Sequence, residues 1–197
     1  MRYPAERKEQ THSRIIAAAA RSFRENGVDA NGIASVMNEL GLTKGGFYRH
    51  FDSKGDLMAQ AVETAFEQIG DSMIEVAKSA PPGRALRAMI ERYLSAEHAG
   101  NPGHGCVIAA LGPELARQPP DIRSRISNSF ATYRDRLLPF LPGRTLKQKR
   151  ERFGILFPAM AGVLTISRTI DDPDARDAYL RSARNFFIDS FAPDSTQ

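Results

Sequence analysis

Apolar residues recur at intervals of three and four along nearly the whole chain, and no stretch shows the period-two alternation of a half-buried strand. The pattern predicts an all-α protein of about nine helices. Between about Glu6 and Asn26, Ile15, Ile16, Ala19, Ala20 and Phe23 share one face, and Gly27 supplies the stop. Ile33, Val36, Met37 and Leu40 form one inward stripe of a short second helix. Gly41 then breaks the chain, and Thr43 is placed to cap a third short helix ending near Phe51. Ser53 and Asp56 read as a capping box opening a long fourth helix to about Lys78, with Met58, Val62, Ala65, Ile69, Met73 and Val76 along it.

Pro81, Pro82 and Gly83 punctuate the chain before a helix that carries Leu86, Ile90, Tyr93 and Leu94 to about His98. Residues 100–105, with three glycines and a proline, are expected to be the most flexible loop. A short helix with Val107, Ile108, Leu111 and Leu115 ends before Pro119 and Pro120, and the next spaces Ile122, Ile126, Phe130, Tyr133 and Leu137 along one face. After Pro142 and Gly143, Thr145 caps a helix that Pro158 should kink without splitting. Asp172 as cap and Pro173 in the first turn open the last helix, which ends near Phe191 with fraying expected beyond it.

Composition narrows the class. With 197 residues, 42% hydrophobic and 25% charged, the chain has the balance of a water-soluble globular protein. The longest apolar runs, Ile15 to Ala20 and Pro158 to Leu164, fall far short of the ~20 residues of a membrane span, so no membrane partner is expected. The polar start MRYPAERKEQTHSR argues against a secretory leader, and one cysteine, Cys106, allows no internal disulfide; a reducing cytoplasm is the expected location. Net charge is +4, and residues 1–54 hold nine Lys or Arg against six Asp or Glu, so most of the surplus sits in the first quarter. That permits a polyanionic partner without requiring one.

Catalytic signals are missing. No Ser-His-Asp spacing, phosphate loop or dinucleotide glycine pattern occurs, so the chain is expected to be no enzyme and to need no cofactor. His98, His104 and Cys106 are usable metal ligands but lack a fourth ligand and a recognised spacing, and no metal is expected. The basic run Arg144, Lys147, Lys149, Arg150 and Arg152 reads as a solvated face, and Asp171 with Asp172 as cap chemistry.

The informative stretch is 31–54, NGIASVMNELGLTKGGFYRHFDSK. Two short helices joined by a tight turn at Gly41 are the helix-turn-helix arrangement, whose second helix enters the DNA major groove. Phe47 and Phe51 face inward and lock the small helix; Lys44, Tyr48 and Arg49 project outward. Gly45 and Gly46 are poor helix formers, about 1 kcal/mol each below Ala, and a backbone lying close against a duplex is one reason for them. Thr43 at the helix start offers a phosphate contact.

This stretch resembles the DNA-binding domain of the TetR family of bacterial transcriptional repressors. The resemblance rests on Gly41-Leu42-Thr43-Lys44-Gly45-Gly46-Phe47-Tyr48-Arg49-His50-Phe51, followed by Ser53-Lys54 and Leu57 and preceded by Gly27. It implies a three-helix DNA-binding domain over 1–54 and a ligand-binding and dimerisation domain over 55–197. It puts Thr43, Lys44, Gly45 and Tyr48 at the DNA surface and His50 and Lys54 on phosphates. Two positions depart from the family pattern: Gly32 stands where a capping Ser or Thr is usual, and Gly46 replaces a frequent Thr.

The resemblance further implies a double-stranded DNA operator and a small-molecule effector as partners of a homodimeric repressor. A twofold dimer sets two recognition helices one DNA turn apart, about 34–36 Å. Gly162, Ser167, Tyr179, Ala183, Phe186, Phe187 and Ser190 are the candidate dimer interface. Phe66, Ile69, Met73, Tyr93, Cys106, Ile108, Leu111, Phe130, Tyr133, Phe157, Met160 and Leu164 are candidate pocket residues, a mixture suited to a largely apolar or aromatic molecule. Each could equally be core. Cys106, after a glycine-rich segment with histidines near it, leaves a redox- or electrophile-sensing regulator as an alternative. A small all-α enzyme and a helical adaptor are the alternatives from other classes.

Overall fold

A computed structural model describes residues 5–28 and 32–192. Among these residues the regular structure is entirely helical: α1 (Ala5–Asn26), α2 (Ile33–Glu39), a 3-10 helix (Lys44–Arg49), α3 (Lys54–Ser79), α4 (Ala85–Tyr93), α5 (Ala96–Gly100), α6 (Val107–Ala116), α7 (Pro120–Leu137), α8 (Leu146–Ser167) and α9 (Pro173–Phe191). Two further 3-10 turns lie at Pro102–His104 and Leu138–Phe140. Asn31 and the chain end beyond Ala192, where fraying was expected, lie outside the described residues.

The chain forms two compact units. The first comprises residues through Phe66 together with Pro102–Phe130; the second comprises Glu67–Asn101 and the residues from Ala131 on. In the first unit Ile15, Ala19, Phe23, Val36, Met37, Phe47, Phe51 and Leu57 are buried, so α1 and α2 share one core with the 3-10 helix. Gly27 ends α1 with φ of 83°, and Gly41 takes φ of 68° in the turn after α2, left-handed values that favour glycine at both positions. Residues 102–105 are a packed corner instead of the flexible loop expected. Gly103 is buried so closely that a Cβ there would overlap the Glu25 carboxylate. The buried Arg24 donates to Ala20 O at 2.8 Å and to Gly105 O at 3.0 Å; burial pulls its pKa down to about 10.

In the second unit α8 and α9 pack together, and α9 also meets α4 and α5. Ile90, Tyr93, Leu94, Leu164 and Leu180 are among its buried residues. The helix expected to continue to His98 is broken. Leu94 leaves helical geometry, and Ser95 starts α5 afresh by accepting from His98 N at 3.1 Å. Thr145 and Gln148 complete a capping box on α8, which runs unbroken through Pro158. Asp172 caps α9 by accepting from Asp174 N at 3.1 Å, with Pro173 in the first turn.

Candidate nucleic-acid interface

The segment after Gly41 departs from the expected α-helix, and the departure organises the site. Lys44–Arg49 is a 3-10 helix, in which side chains three apart lie above one another. The two glycines lower the local α-helical propensity, and the tighter winding suits so short a piece. Three columns result. Phe47 points into the core with no exposed surface, its ring 5.3 Å from that of the buried Phe51. Gly45 and Tyr48 face outward: a Cβ at Gly45 would meet nothing within 4 Å, and Tyr48 is 66% exposed. Thr43, Gly46 and Arg49 form the third column, along a cleft.

Lys44, which opens the 3-10 helix in the same column as Phe47, is nonetheless exposed, as is Arg49. Thr43 occupies the cap position in extended geometry, but its side chain makes no capping hydrogen bond, because the first turn closes through Gly46 N donating to Thr43 O at 3.0 Å. Gly32 begins α2 without a side-chain cap, as its lack of a hydroxyl requires. Lys54 opens α3, half-buried, just behind the cap made by Ser53 Oγ accepting from Asp56 N at 3.0 Å. Asp56 in turn accepts from Asp52 N, so the capping box is reciprocal but displaced by one residue from Ser53.

The cleft, of about 570 Å³, is lined by Lys8 and Thr11 of α1, Met37, Gly41, Leu42, and Thr43, Gly46, Arg49 and His50. His50 has a pKa below its ordinary value, first because burial disfavours charge and then because His12, Lys8 and Arg49 repel it. Its Nδ1 is buried with no hydrogen-bond partner among the described residues. His12 stacks on Phe51 with ring centroids 4.6 Å apart and donates from Nε2 to Gln60 Oε1 at 2.9 Å. Lys8, His12 and Arg24 were not singled out from sequence. Lys8 and His12 sit on the polar face of α1, where charge spacing alone looks like solvated surface.

The other candidate residues divide. Met73, Tyr93, Tyr133, Phe157 and Met160 line an apolar cavity of about 30 Å³ in the second unit, with Leu86, Met89, Leu137, Leu141, Phe153 and Leu156, which sequence reading had not proposed. The aromatic rings interlock there, with Phe153 and Phe157 stacked at 5.2 Å and Tyr133 edge-on to Phe157 at 5.5 Å. Ile69 and Leu164 are buried in the same unit but are not in that lining. Phe66, Cys106, Ile108, Leu111 and Phe130 belong instead to the first unit, where the Phe66 and Phe130 rings lie 5.8 Å apart and Cys106 is buried ahead of α6. His98 is occupied by Tyr93 O at 2.6 Å, and the described residues hold no cluster of metal-ligating side chains.

Of the candidate interface residues, Gly162, Phe186 and Ser190 are exposed, and Tyr179 and Ala183 are half-buried. Ser167 and Phe187 correct the expectation. Both are buried within the chain, Ser167 donating its hydroxyl to Leu164 O at 2.8 Å, so they lie beneath the exposed face. Helical spacing brings Ile155, Pro158, Ala159 and Ile166 to the surface of α8 alongside Gly162, and Ile155, Ile166 and Phe186 are more than half exposed.

Comparison with known proteins bears on this arrangement. Residues 15–61 match the family described as bacterial regulatory proteins, tetR family. The transcriptional regulator AcuR of Cereibacter sphaeroides is 26% identical over 64% of this chain and 58% of its own length. The HTH-type transcriptional regulator CymR of Pseudomonas putida is 33% identical over 46% of this chain and 45% of its own. The chain thus spans about half the length of these relatives. Among solved structures, a TetR transcriptional regulator from Chloroflexus aurantiacus J-10-FL superposes with a TM-score of 0.73 at 20% identity, covering 94% of this chain and 98% of that one.

Proposed function

We propose that this chain, a member of the tetR family of bacterial transcriptional regulators by its helix-turn-helix domain and its all-helical fold, is a homodimeric repressor that a small molecule releases from a pseudo-palindromic operator. Residues 1–54 read the DNA in this proposal, and residues 55–197 carry dimerisation and effector binding. The observation that carries it is the inward and outward division of the 3-10 helix, with Phe47 wholly buried and Tyr48 66% exposed. A large amphipathic side chain at the outer face, beside the open Gly45 and with Lys44 exposed near it, suits a groove wall, where its ring and hydroxyl can both be used.

The exposed faces of α8 and α9 support a second copy of the chain as partner. The α8 stripe runs through Ile155, Pro158, Ala159, Gly162 and Ile166; the α9 face is mixed, with Ala178 and Phe186 on either side of the small polar Ser182. Two packed helices with such faces pair across a twofold axis as a four-helix bundle, small residues allowing close approach. The cavity among Met73, Tyr93, Tyr133, Phe157 and Met160 supports an effector that is largely apolar, with the tyrosine hydroxyls as polar handles. At about 30 Å³ it holds roughly one water, so an effector must open it. Such a ligand shifts the equilibrium only by its preference for the opened state. A 100-fold preference corresponds to about 2.7 kcal/mol of coupling. Cys106 is 1% exposed, which favours effector binding over the thiol-sensing alternative.

Selection of duplexes from a random library by the purified protein, followed by gel shifts with and without apolar small molecules, tests the proposal. Recovery of a pseudo-palindrome whose complex is released by such a compound is expected. Recovery of no preferred sequence would refute it.

A further inference from the structure

We propose that the effector carries an anionic head, a carboxylate or a phosphate, which Lys149 and Arg150 in the first turns of α8 hold while its apolar remainder enters the cavity lined by Phe153, Phe157 and Met160. The inference rests on the effector-binding reading and adds to it the charge of the ligand and the end of the cavity at which that charge stays.

The largest local surplus of positive charge is not in residues 1–54. Residues 134–152 hold seven Lys or Arg against two acids, a surplus of five in a chain whose net charge is +4. Lys147, Lys149 and Arg150 open α8, whose first turn holds no acid, so they sit where the helix dipole disfavours cations. Nearby acids do not cancel the charge. Asp135 is shared by Arg134 and Arg150, Asp71 is taken by Arg136, and Lys147 reaches Glu151 only at 4.0 Å. Arg144 and Arg152 make no ion pair among the described residues. An anion bound here relieves both the mutual repulsion and the unfavourable dipole contact.

The cations lie at the cavity. Along α8, Leu146, Lys149, Arg150, Phe153 and Phe157 recur at threes and fours, so the first three continue the cavity-lining stripe beyond the core. Phe153, Phe157 and Met160 are buried, whereas Leu146, 54% exposed, carries the stripe out to solvent. Lys149 leans over the corner between α7 and α8. Its stem packs on Gly143, where φ is 141° and a Cβ would come within 3.1 Å of Lys149 Cγ, and its Nζ donates to Pro139 O at 3.4 Å. Leu141, between those two contacts in the chain, lines the cavity, as does Leu137 before them. Arg150 crosses to Asp135 at 3.3 Å, an exposed pair that a better-placed anion can displace, since Arg134 still holds Asp135 at 2.8 Å.

An apolar cavity with a cationic rim selects an amphiphile. Removal of the tail from water drives entry, and the head gains charge-assisted hydrogen bonds without leaving solvent. A neutral apolar molecule makes no use of the two cations, and a small hydrophilic anion makes no use of the cavity.

The experiment measures, by isothermal titration calorimetry on the full-length protein, the Kd of decanol, decanoate and decyl phosphate, and of 2-naphthol and 2-naphthyl phosphate. In at least one series an anion should bind about tenfold or more tighter than its alcohol, an advantage that shrinks as salt is raised. Decanoate and decyl phosphate distinguish a carboxylate head from a phosphate. Lys149→Gln with Arg150→Gln should bring the anion to the Kd of the alcohol, leave the alcohol unchanged, and leave the Kd for a selected duplex as in the wild type when no ligand is present. Met160→Phe, which fills the cavity, should weaken alcohol and anion together, with the melting curve confirming that it folds. Alcohols that bind as tightly as the anions, or an anion advantage that survives the double variant, would overturn the inference while leaving an apolar effector in place. Anion binding untouched by Met160→Phe and abolished by inorganic phosphate would overturn it too, since the turn would then be a surface anion patch. So would cosedimentation with phosphatidylglycerol vesicles that requires the same two cations, or a loss of duplex affinity in the double variant, which would assign them to a membrane surface or to DNA. Failure of every alcohol and anion to bind would strike at the effector cavity itself.

Discussion

Arg125 on α7 donates from Nη1 to Asp56 Oδ1 at 2.8 Å, tying α7 to the first turn of the helix that follows the recognition segment. The contact does not stand alone. Asp56 also accepts from Gln60 Nε2 at 3.0 Å, Gln60 accepts from His12, and His12 stacks on Phe51, the ring that packs against Phe47 on the inner side of the 3-10 helix. Burial works against ionisation of Asp56, but the hydrogen bonds from Arg125, Gln60 and the Asp52 amide outweigh it and hold the carboxyl below its ordinary value.

Because that pKa is depressed in the folded state, the clamp contributes stability above the ordinary carboxylate range and loses it as pH falls through the folded value. Arg125→Gln should lower stability at neutral pH by at most about 1 kcal/mol, since Arg125 is partly exposed. The difference from wild type should shrink in acid. Scanning calorimetry as a function of pH checks it; a gap that widens towards acid would contradict the assignment.

Tyr48→Ala and Lys44→Ala should weaken binding to the selected duplex by roughly ten- to a hundredfold, the ~1–3 kcal/mol of a good groove contact. Both side chains are exposed, so thermal stability and oligomeric state should stay as in the wild type. Anisotropy titrations beside sedimentation and melting measurements separate the two effects.

Gly45 permits a cleaner test, because a Cβ there meets nothing in the protein. Gly45→Val should leave the melting curve essentially unchanged, yet reduce DNA affinity at least tenfold if the backbone lies against the duplex. Full affinity in this variant would mean that the outer face of the 3-10 helix keeps its distance from DNA.

For the dimer, neighbouring phenylalanines should behave in opposite ways. Phe186 is 65% exposed and Phe187 7%. Phe186→Asp should yield folded monomers, whereas Phe187→Ala should cost about 3–5 kcal/mol of fold stability as a core truncation. Light scattering combined with circular dichroism distinguishes dissociation from unfolding.

Much of the fold was legible in the sequence because helical periodicity and cap chemistry act locally. Gly27, Ser53, Thr145 and Asp172 mark their helix ends by residue type alone, and the inward role of Phe47 and Phe51 follows from their surroundings. What could not be read there depends on contacts distant in the chain. The 100–105 segment has a loop's composition, but Arg24 and Glu25 of α1 close over it, some 80 positions away. The break at Leu94 turned on Ser95 acting as a cap within an apolar pattern that runs straight through it. The same limit applies to the pocket. Met73 and Phe157 share a cavity while Phe66 and Phe130 face one another in the other unit, although all four carry the same apolar signal. Ser167 and Phe187 look like interface residues by size and spacing, and only the packing of α8 on α9 puts them inside.

The most direct test is the stoichiometry of the complex with a selected duplex, measured by sedimentation. Two chains per duplex are expected, on half-sites whose centres lie one helical turn apart, about 34–36 Å, with the complex lost when one half-site is scrambled. One chain per duplex, or equal binding to the scrambled site, would contradict a twofold repressor that reads DNA through the helix beginning at Lys44.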